Sequence, residues 1–269
     1  MDELIKFYLV FDGLDIKNNY DDVFIAIKDE ILLNHNKLRL KFKFDKYSKL
    51  ALSKFAKNDR KKFSINKVMS RFKAQKSVNW LLNEGILELE KSREKKPTPQ
   101  NKKEKLPKYL RRYTIHDKVK FKNHFDRFWF RFIEPNLTLL DNNKIEQVLE
   151  IIKLDFENYA SLGFEALSGL VLKKYLNLEK DVYSFWTKDL EIDIFYEFDD
   201  KVMIGEVKYK DRKVCKSLLN SISLKCEKLN ITPDKIIIFS KSGFSKELLN
   251  IKSEKLLLFD MDDFTILLE

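Results

Sequence analysis

The 269-residue chain is 44% apolar and 13% aromatic, with 22 Phe, which supplies one large or two modest cores and excludes wholesale disorder. Two cysteines, Cys215 and Cys226, and three histidines complete neither a CxxC pair nor a zinc set, so a disulfide scaffold and a zinc site are excluded and a reduced, cytoplasmic setting is expected. The acidic start Met1-Asp2-Glu3 and a first apolar run that ends at Gly13 predict neither a secretory leader nor a membrane span.

The net charge of +10 is unevenly placed. Residues 1–112 carry about +13 and residues 113–269 about −3, with the excess in Lys37–Lys76 and Lys91–Arg112. A base-composition bias toward lysine would spread it evenly. Clustering points instead to phosphate contact, against the alternative of a merely solvated basic face.

In chain order, Asp21–Asn34 predicts an amphipathic helix on Val23, Ile25, Ile27, Ile31 and Leu32. Leu38–Phe44 alternates with period two and predicts a strand with a basic outer face. Residues 1–46 thus read as an N-terminal helical extension packed on the next domain. From Tyr47 a basic helix runs to Asn58-Asp59. Ser64 can cap a second helix from Ile65 to about Glu84, with Ile65, Val68, Met69, Phe72, Val78, Leu81 and Leu82 on its buried side. Gly85 ends it, Ile86–Glu90 predicts a strand, and the Lys- and Pro-rich run Lys91–Pro107 leads to a second strand, Tyr109–Ile115.

That order predicts a winged helix over residues 47–116, with the second helix for recognition and Lys91–Pro107 as the wing. Its expected nucleic-acid contacts are Lys67, Arg71, Gln75 and Lys76, then Asn66 and Lys73, and Lys95, Lys96, Lys102 and Lys103 in the wing. Arg and Gln suit base edges, lysines suit phosphates. A helix pair with a basic loop and no ligand is the alternative.

Asp117–Asn136 predicts a helix dense in aromatics and closed by Pro135, a connecting core over residues 117–140 rather than a base-stacking platform. A helix from Lys144 to about Asn158 opens the last domain, residues 141–269. There Leu162–Leu172 predicts an apolar helix with Glu165 near its start. Glu191–Tyr196 and Ile204–Tyr209 predict strands joined through Asp199-Asp200-Lys201, followed by a helix from Arg212 to Leu229 and a buried strand, Lys235–Ser240.

Asp193 stands on the first strand, and Glu206 and Lys208 share one face of the second. Charges inside apolar strands are costly unless they pair or bind an ion. An exposed Glu206–Lys208 pair, worth about 0–1 kcal/mol, is the modest reading. The other is Mg²⁺-assisted attack on a phosphodiester. Asp193 and Glu206 would be ligands, the Val207 carbonyl a third, and Lys208 would steady the water or the developing charge. Glu165 either completes the metal set or is an early-helix acid favoured by the dipole. Glu191 and Lys210 share the register of Asp193 and Lys208 and stand behind them. Lys216, Lys225 and Lys228 are expected to meet a nucleic-acid backbone. Gly205 fits either close backbone approach or a bulge, and Trp186 fits the core.

Glu165, Asp193, Glu206 and Lys208, in that order, resemble the active-site signature of the PD-(D/E)xK (restriction-endonuclease-like) superfamily. Phe128–Asn136, Gly163–Glu165, Glu191–Ile194, Gly205–Tyr209 and Phe239–Phe244 resemble most closely the branch found as the C-terminal domain of unknown function of predicted prokaryotic P-loop ATPases. The likeness spans roughly residues 50–269. It implies an α/β (α+β) chain, a winged helix followed by a restriction-endonuclease-like mixed sheet. It also implies a nuclease using Mg²⁺ or Mn²⁺ on DNA, with RNA not excluded, working as a homodimer where both strands are cut. No G-x-x-x-x-G-K-S/T occurs in these residues, so ATP-driven function is not carried over, and a separate ATPase partner would have to supply it. The alternative is a non-catalytic DNA-binding protein or regulator that keeps the fold.

Overall fold

The computed structural model describes residues 1–99, 101, 105–199 and 201–269. Lys102 and Lys103 of the expected wing, and Asp200 of the hairpin turn, lie outside the described residues.

Helix α1 (Asp2–Phe11) buries Ile5, Leu9, Val10 and Phe11. Helix α2 (Val23–Ala26), capped by the Asp22 carboxylate on the Phe24 and Ile25 N–H groups, runs on as a π-helical turn, Ile27–Leu32, so the expected amphipathic helix is present. Leu38–Phe44 is not a strand: it forms α3 (His35–Leu38) and a 3-10 turn, Arg39–Phe42. The turn drives Phe42 among Phe125, Trp129 and Phe130, a burial that outweighs the alternating pattern. The extension packs on the aromatic helix and the long central helix, and it also touches the second basic helix, where Phe44 meets Trp80 edge-on. Phe24 meets Phe156 edge-on, and the Tyr159 hydroxyl donates to the Leu9 carbonyl.

Helix α4 (Lys46–Phe55) is capped by Asp45. A 3-10 turn (Lys62–Lys67) follows, then α5 (Arg71–Asn83) with Ser70 at its N-cap. The second basic helix therefore starts later than Ile65. Ala74, Val78 and Leu81 are buried, while Val68 is exposed and Phe72 is 79% exposed, contrary to expectation. Gly85, at φ +68°, ends α5 in a left-handed conformation open to glycine. Strand β1 (Leu87–Glu90) follows. Tyr109–Ile115 is not the second strand, since Pro107 starts the short α6 (Lys108–Arg111). The partner is β2 (Lys118–Phe121), antiparallel with Leu87 opposite Phe121, and its fully buried Val119 supplies the inward face that exposed Tyr109 lacks. A bridge from Lys61 to Lys118 adds a third short pairing.

The helix expected from Asp117 begins only after β2. It comprises α7 (His124–Phe128), a π-helical turn (Trp129–Ile133) and a 3-10 turn (Glu134–Asn136), then α8 (Leu137–Asp141). Phe125, Phe128, Trp129, Phe130 and Phe132 are all buried, as a core rather than a stacking platform requires.

The two helices expected on either side of Ser161 are one, α9 (Ile145–Tyr175). Glu165 therefore lies deep within a helix, and the dipole explanation for it falls away. Strand β3 (Tyr183–Trp186), which was not anticipated, holds the buried Trp186. Strands β4 (Glu191–Phe198), β5 (Lys201–Lys208), β6 (Lys235–Ser240) and β7 (Leu256–Phe259) complete a mixed five-stranded sheet in the order β3-β4-β5-β6-β7. The β3–β4 and β4–β5 pairs are antiparallel, the β5–β6 and β6–β7 pairs parallel. Helix α10 (Ser217–Leu229) crosses between β5 and β6, with Cys215 just ahead of it, and α11 (Lys246–Asn250) between β6 and β7.

The two sheet faces bury different partners. Ile194, Met203, Val207 and Ile237 share one core with α9, whereas Phe195, Ile204 and Ile238 share another with Ile222 and Cys226 of α10. The first core is continuous from Ile5 to Phe264. The chain is a mixed α/β protein, and no helix among the described residues is long and apolar enough to cross a membrane.

Candidate functional site

A bulge in β4 sets the geometry. Tyr183 of β3 pairs with Phe195, but Phe185 pairs with Ile192, so β4 spends one extra residue over this step. Ile192 and Phe195, three apart, consequently share the α10 face while Ile194 faces α9. Across the hairpin Ile194 stands opposite Gly205, which brings Asp193 to the end of the ladder beside Glu206. There the Asp193 carboxylate accepts from the Val207 N–H at 2.9 Å, replacing a ladder contact with a side chain. A residue's N–H and C=O leave a strand on one edge, so the Val207 carbonyl faces the same side. Gly205 answers to close approach rather than to the bulge: a Cβ there would collide with the Ile237 carbonyl of β6.

Lysines join the acids. Lys208 Nζ stands 2.8 Å from one Glu206 oxygen and 3.8 Å from Asp193. Lys225 of α10 holds the other Glu206 oxygen and donates to the Glu191 carbonyl at 2.6 Å. Lys225 was expected to meet a phosphate backbone; in the structure it is turned into the cluster. Glu191 pairs with Lys118 of β2, tying the small sheet to the large one, and Lys210 is exposed with no part in the cluster.

The electrostatics follow from this crowding. Burial, then Glu206, pushes Asp193 up to about 6. Burial, then Asp193 and Glu191, pushes Glu165 up to about 8. Burial alone would lower Lys208, but Glu206 and Asp193 outweigh it and raise its pKa, so it is an ammonium that donates and cannot take a proton at neutral pH. Glu165 and Asp193 both line a cavity of about 460 Å³ between α9, the β2–α7 connection and the β3–β4 edge.

Among the described residues no three His, Cys, Asp or Glu side chains are gathered as an ion cage. Magnesium does not require one: it binds through one or two carboxylates and keeps its waters. Asp193, Glu206 and the Val207 carbonyl fit that need. Both Glu206 oxygens are held by lysines, so an ion must displace at least Lys225.

The expected nucleic-acid residues lie elsewhere. Lys67, Arg71, Lys73, Gln75 and Lys76 are exposed on α5 and the turn before it, and Lys95 and Lys96 are exposed beyond β1. Lys73 covers the Tyr47 ring at 4.2 Å. Lys216 and Lys228 are exposed at the two ends of α10. Sequence reading missed the buried cations near the acids. Arg60 pairs with Glu90 at 2.7 Å, Lys118 pairs with Glu191, and Arg127 lines the cavity. Lys118 sits in a strand where a helix was expected, whereas Arg60 lies in the connection after α4 and Arg127 on the expected aromatic helix, where no pattern marked either cation as inward.

A family model described as archaea bacterial proteins of unknown function matches residues 129–218, a span that holds Glu165, Asp193, Glu206 and Lys208. An uncharacterized protein of Methanocaldococcus jannaschii is 28% identical over 156 residues, 54% of this chain and 34% of that protein. The chain thus spans about a third of the length of this curated relative. No solved structure matches.

Proposed function

We propose that the protein is a Mg²⁺- or Mn²⁺-dependent DNA nuclease of the PD-(D/E)xK type, cytoplasmic and brought to DNA by a winged helix. The carrying observation is the convergence of Asp193, Glu206 and Lys208 at a bulged hairpin edge, with Glu165 on the neighbouring helix. The order helix, strand, strand, helix, strand that the family likeness implies is present, with β3 added. The winged-helix part is supported by α4, the 3-10 turn, α5 and the β1–β2 pair in sequence, with exposed cations along α5.

A bound divalent ion would polarise the phosphodiester and lower the pKa of a water. Asp193 and Glu206, with the Val207 carbonyl, would hold it. Lys208, charged and half-exposed, orients the attacking water and balances charge developing on the phosphoryl oxygens. Glu165, uncharged below about pH 8, would offer its proton to a ligand in the cavity it lines. The test is cleavage of plasmid and linear DNA with added Mg²⁺ or Mn²⁺. Asp193→Ala and Lys208→Ala are expected to lose at least about 100-fold in rate while DNA binding persists. No cleavage of duplex, single-stranded or branched DNA, or of RNA, removes the reading.

One observation favours a second reading, a non-catalytic DNA-binding protein or regulator. Glu206 already has both oxygens neutralised by protein cations. That protein would bind DNA with steep salt dependence and give no heat on metal titration. A separate ATPase partner and a homodimer belong to either reading, and are tested by co-purification and by light scattering.

A further inference from the structure

Arg127 is a buried cation that the proposed chemistry does not use. It lies on α7, 4% exposed, with Nη1 donating to the Tyr159 carbonyl at 3.0 Å and the guanidinium 4.4 Å above the Tyr159 ring. Its Nε and Nη2 have no acceptor among the described residues, and no carboxylate among them comes within 4.0 Å of it. Nε and Nη2 form the side-on fork of a guanidinium, the edge suited to two oxygens of one oxyanion. Arg131, four residues on, uses those same two atoms to grip Asp155. Burial pulls Arg127 down only to about 10, so its charge is intact at neutral pH, and a buried charge without a counter-ion is costly.

The surroundings select an anion of limited size. Arg127 lines the cavity of about 460 Å³ that also reaches Glu165 and Asp193. Arg60 on the same wall is engaged by Glu90, and Asp12 by the His124 N–H, so neither is free to serve Arg127. His124 is held neutral, its pKa lowered to about 4 by burial and by Arg127 itself. Lys122, exposed and also lining the cavity, stands at the mouth.

Nε and Nη2 are themselves closed off from solvent, so an anion reaches them only when the side chain turns toward the cavity that Arg127 lines. We propose that Arg127 turns this fork to bind a phosphate oxyanion inside the cavity, with Lys122 drawing it in at the mouth. Resting on the nuclease reading, that phosphate belongs to a nucleic-acid strand whose next phosphates reach the Asp193–Glu206 cluster. The same fork would take a free phosphate, and the two sources are separable by experiment.

The full chain is titrated calorimetrically with inorganic phosphate and, separately, with a short oligothymidylate, without divalent metal. Saturable binding of either probe is expected, weakened at least tenfold in Arg127→Met and partly recovered in Arg127→Lys. Tighter binding of the oligonucleotide names a strand phosphate, tighter binding of inorganic phosphate a free one. Where Arg127→Met does not melt cooperatively, Lys122→Ala at its exposed position is decisive, with two- to fivefold weaker binding expected. Wild-type protein that binds neither probe, or a folded Arg127→Met (failing that, Lys122→Ala) that binds both as wild type does, overturns the proposal. Because metal is absent, Arg127-dependent binding alongside no cleavage would retire the nuclease reading alone, and cleavage without such binding would retire only this subsite.

Discussion

Glu206, 5% exposed, is held between Lys208 and Lys225. Removing one partner leaves a buried carboxylate with half its compensation. Lys225→Met is therefore expected to lower stability by about 2 kcal/mol, with Mg²⁺ restoring part of the loss, read as melting temperature with and without the ion. Glu165 behaves in the opposite sense. Its folded pKa, about 8, lies above the ordinary value of 4.5, so the folded protein keeps a proton that the unfolded chain has released. Stability falls as pH rises across that window. Glu165→Gln removes the dependence, so it is expected to gain on the wild type between pH 5 and pH 8, by about 1–3 kcal/mol at the upper end, and to match it below pH 4.5. Asp193, Glu206 and Lys208 were legible in the sequence because charge inside an apolar strand stands out. Lys225 was not, since a lysine on an amphipathic helix gives no sign of which face it turns inward.

Elements with a strong period and a stop signal were read well: α4, β4, β5 and β6 fall close to their expected spans, and Gly85 ends α5. The misreadings have physical causes. Leu38–Phe44 alternates like a strand, but burying Phe42 in the aromatic cluster demanded a turn. Two expected helices merged into α9 because nothing around Ser161 stops a helix, and Gly163 is tolerated where α1 presses Leu9 against it. Gly205 is where one methyl group matters most. Gly205→Ala would force β5 away from β6 and is expected to cost about 3 kcal/mol or more, measured by denaturant unfolding. Exposed Arg71 and the pair Lys95 and Lys96 are expected to act through charge. The triple alanine variant should bind DNA more weakly at low salt and flatten the slope of log affinity against log salt by about 2–3. An unchanged slope would move DNA contact off α5 and the wing.

At the scale of the whole molecule the small and large sheets meet through partly buried polar contacts rather than a bare linker. Lys118 reaches Glu191, and the Trp186 indole donates to the His116 carbonyl at 2.7 Å. Glu191, gripped by Lys118 of β2 through its side chain and by Lys225 of α10 through its carbonyl, thus links the small sheet to the acid cluster. This joining was invisible in the sequence, because β3 and the true position of β2 were both missed. The broad class, mixed α/β with a C-terminal mixed sheet, was legible from strand and helix alternation together with the family resemblance. What decides the account is whether the acids hold a metal. Soaking crystals in Mn²⁺ and collecting anomalous data reads this directly. The expected result is one peak within coordination distance of Asp193, Glu206 and the Val207 carbonyl, with Lys225 swung off Glu206. Lys208 and Lys225 still clasping Glu206, with no peak between the acids at saturating Mn²⁺, would contradict it.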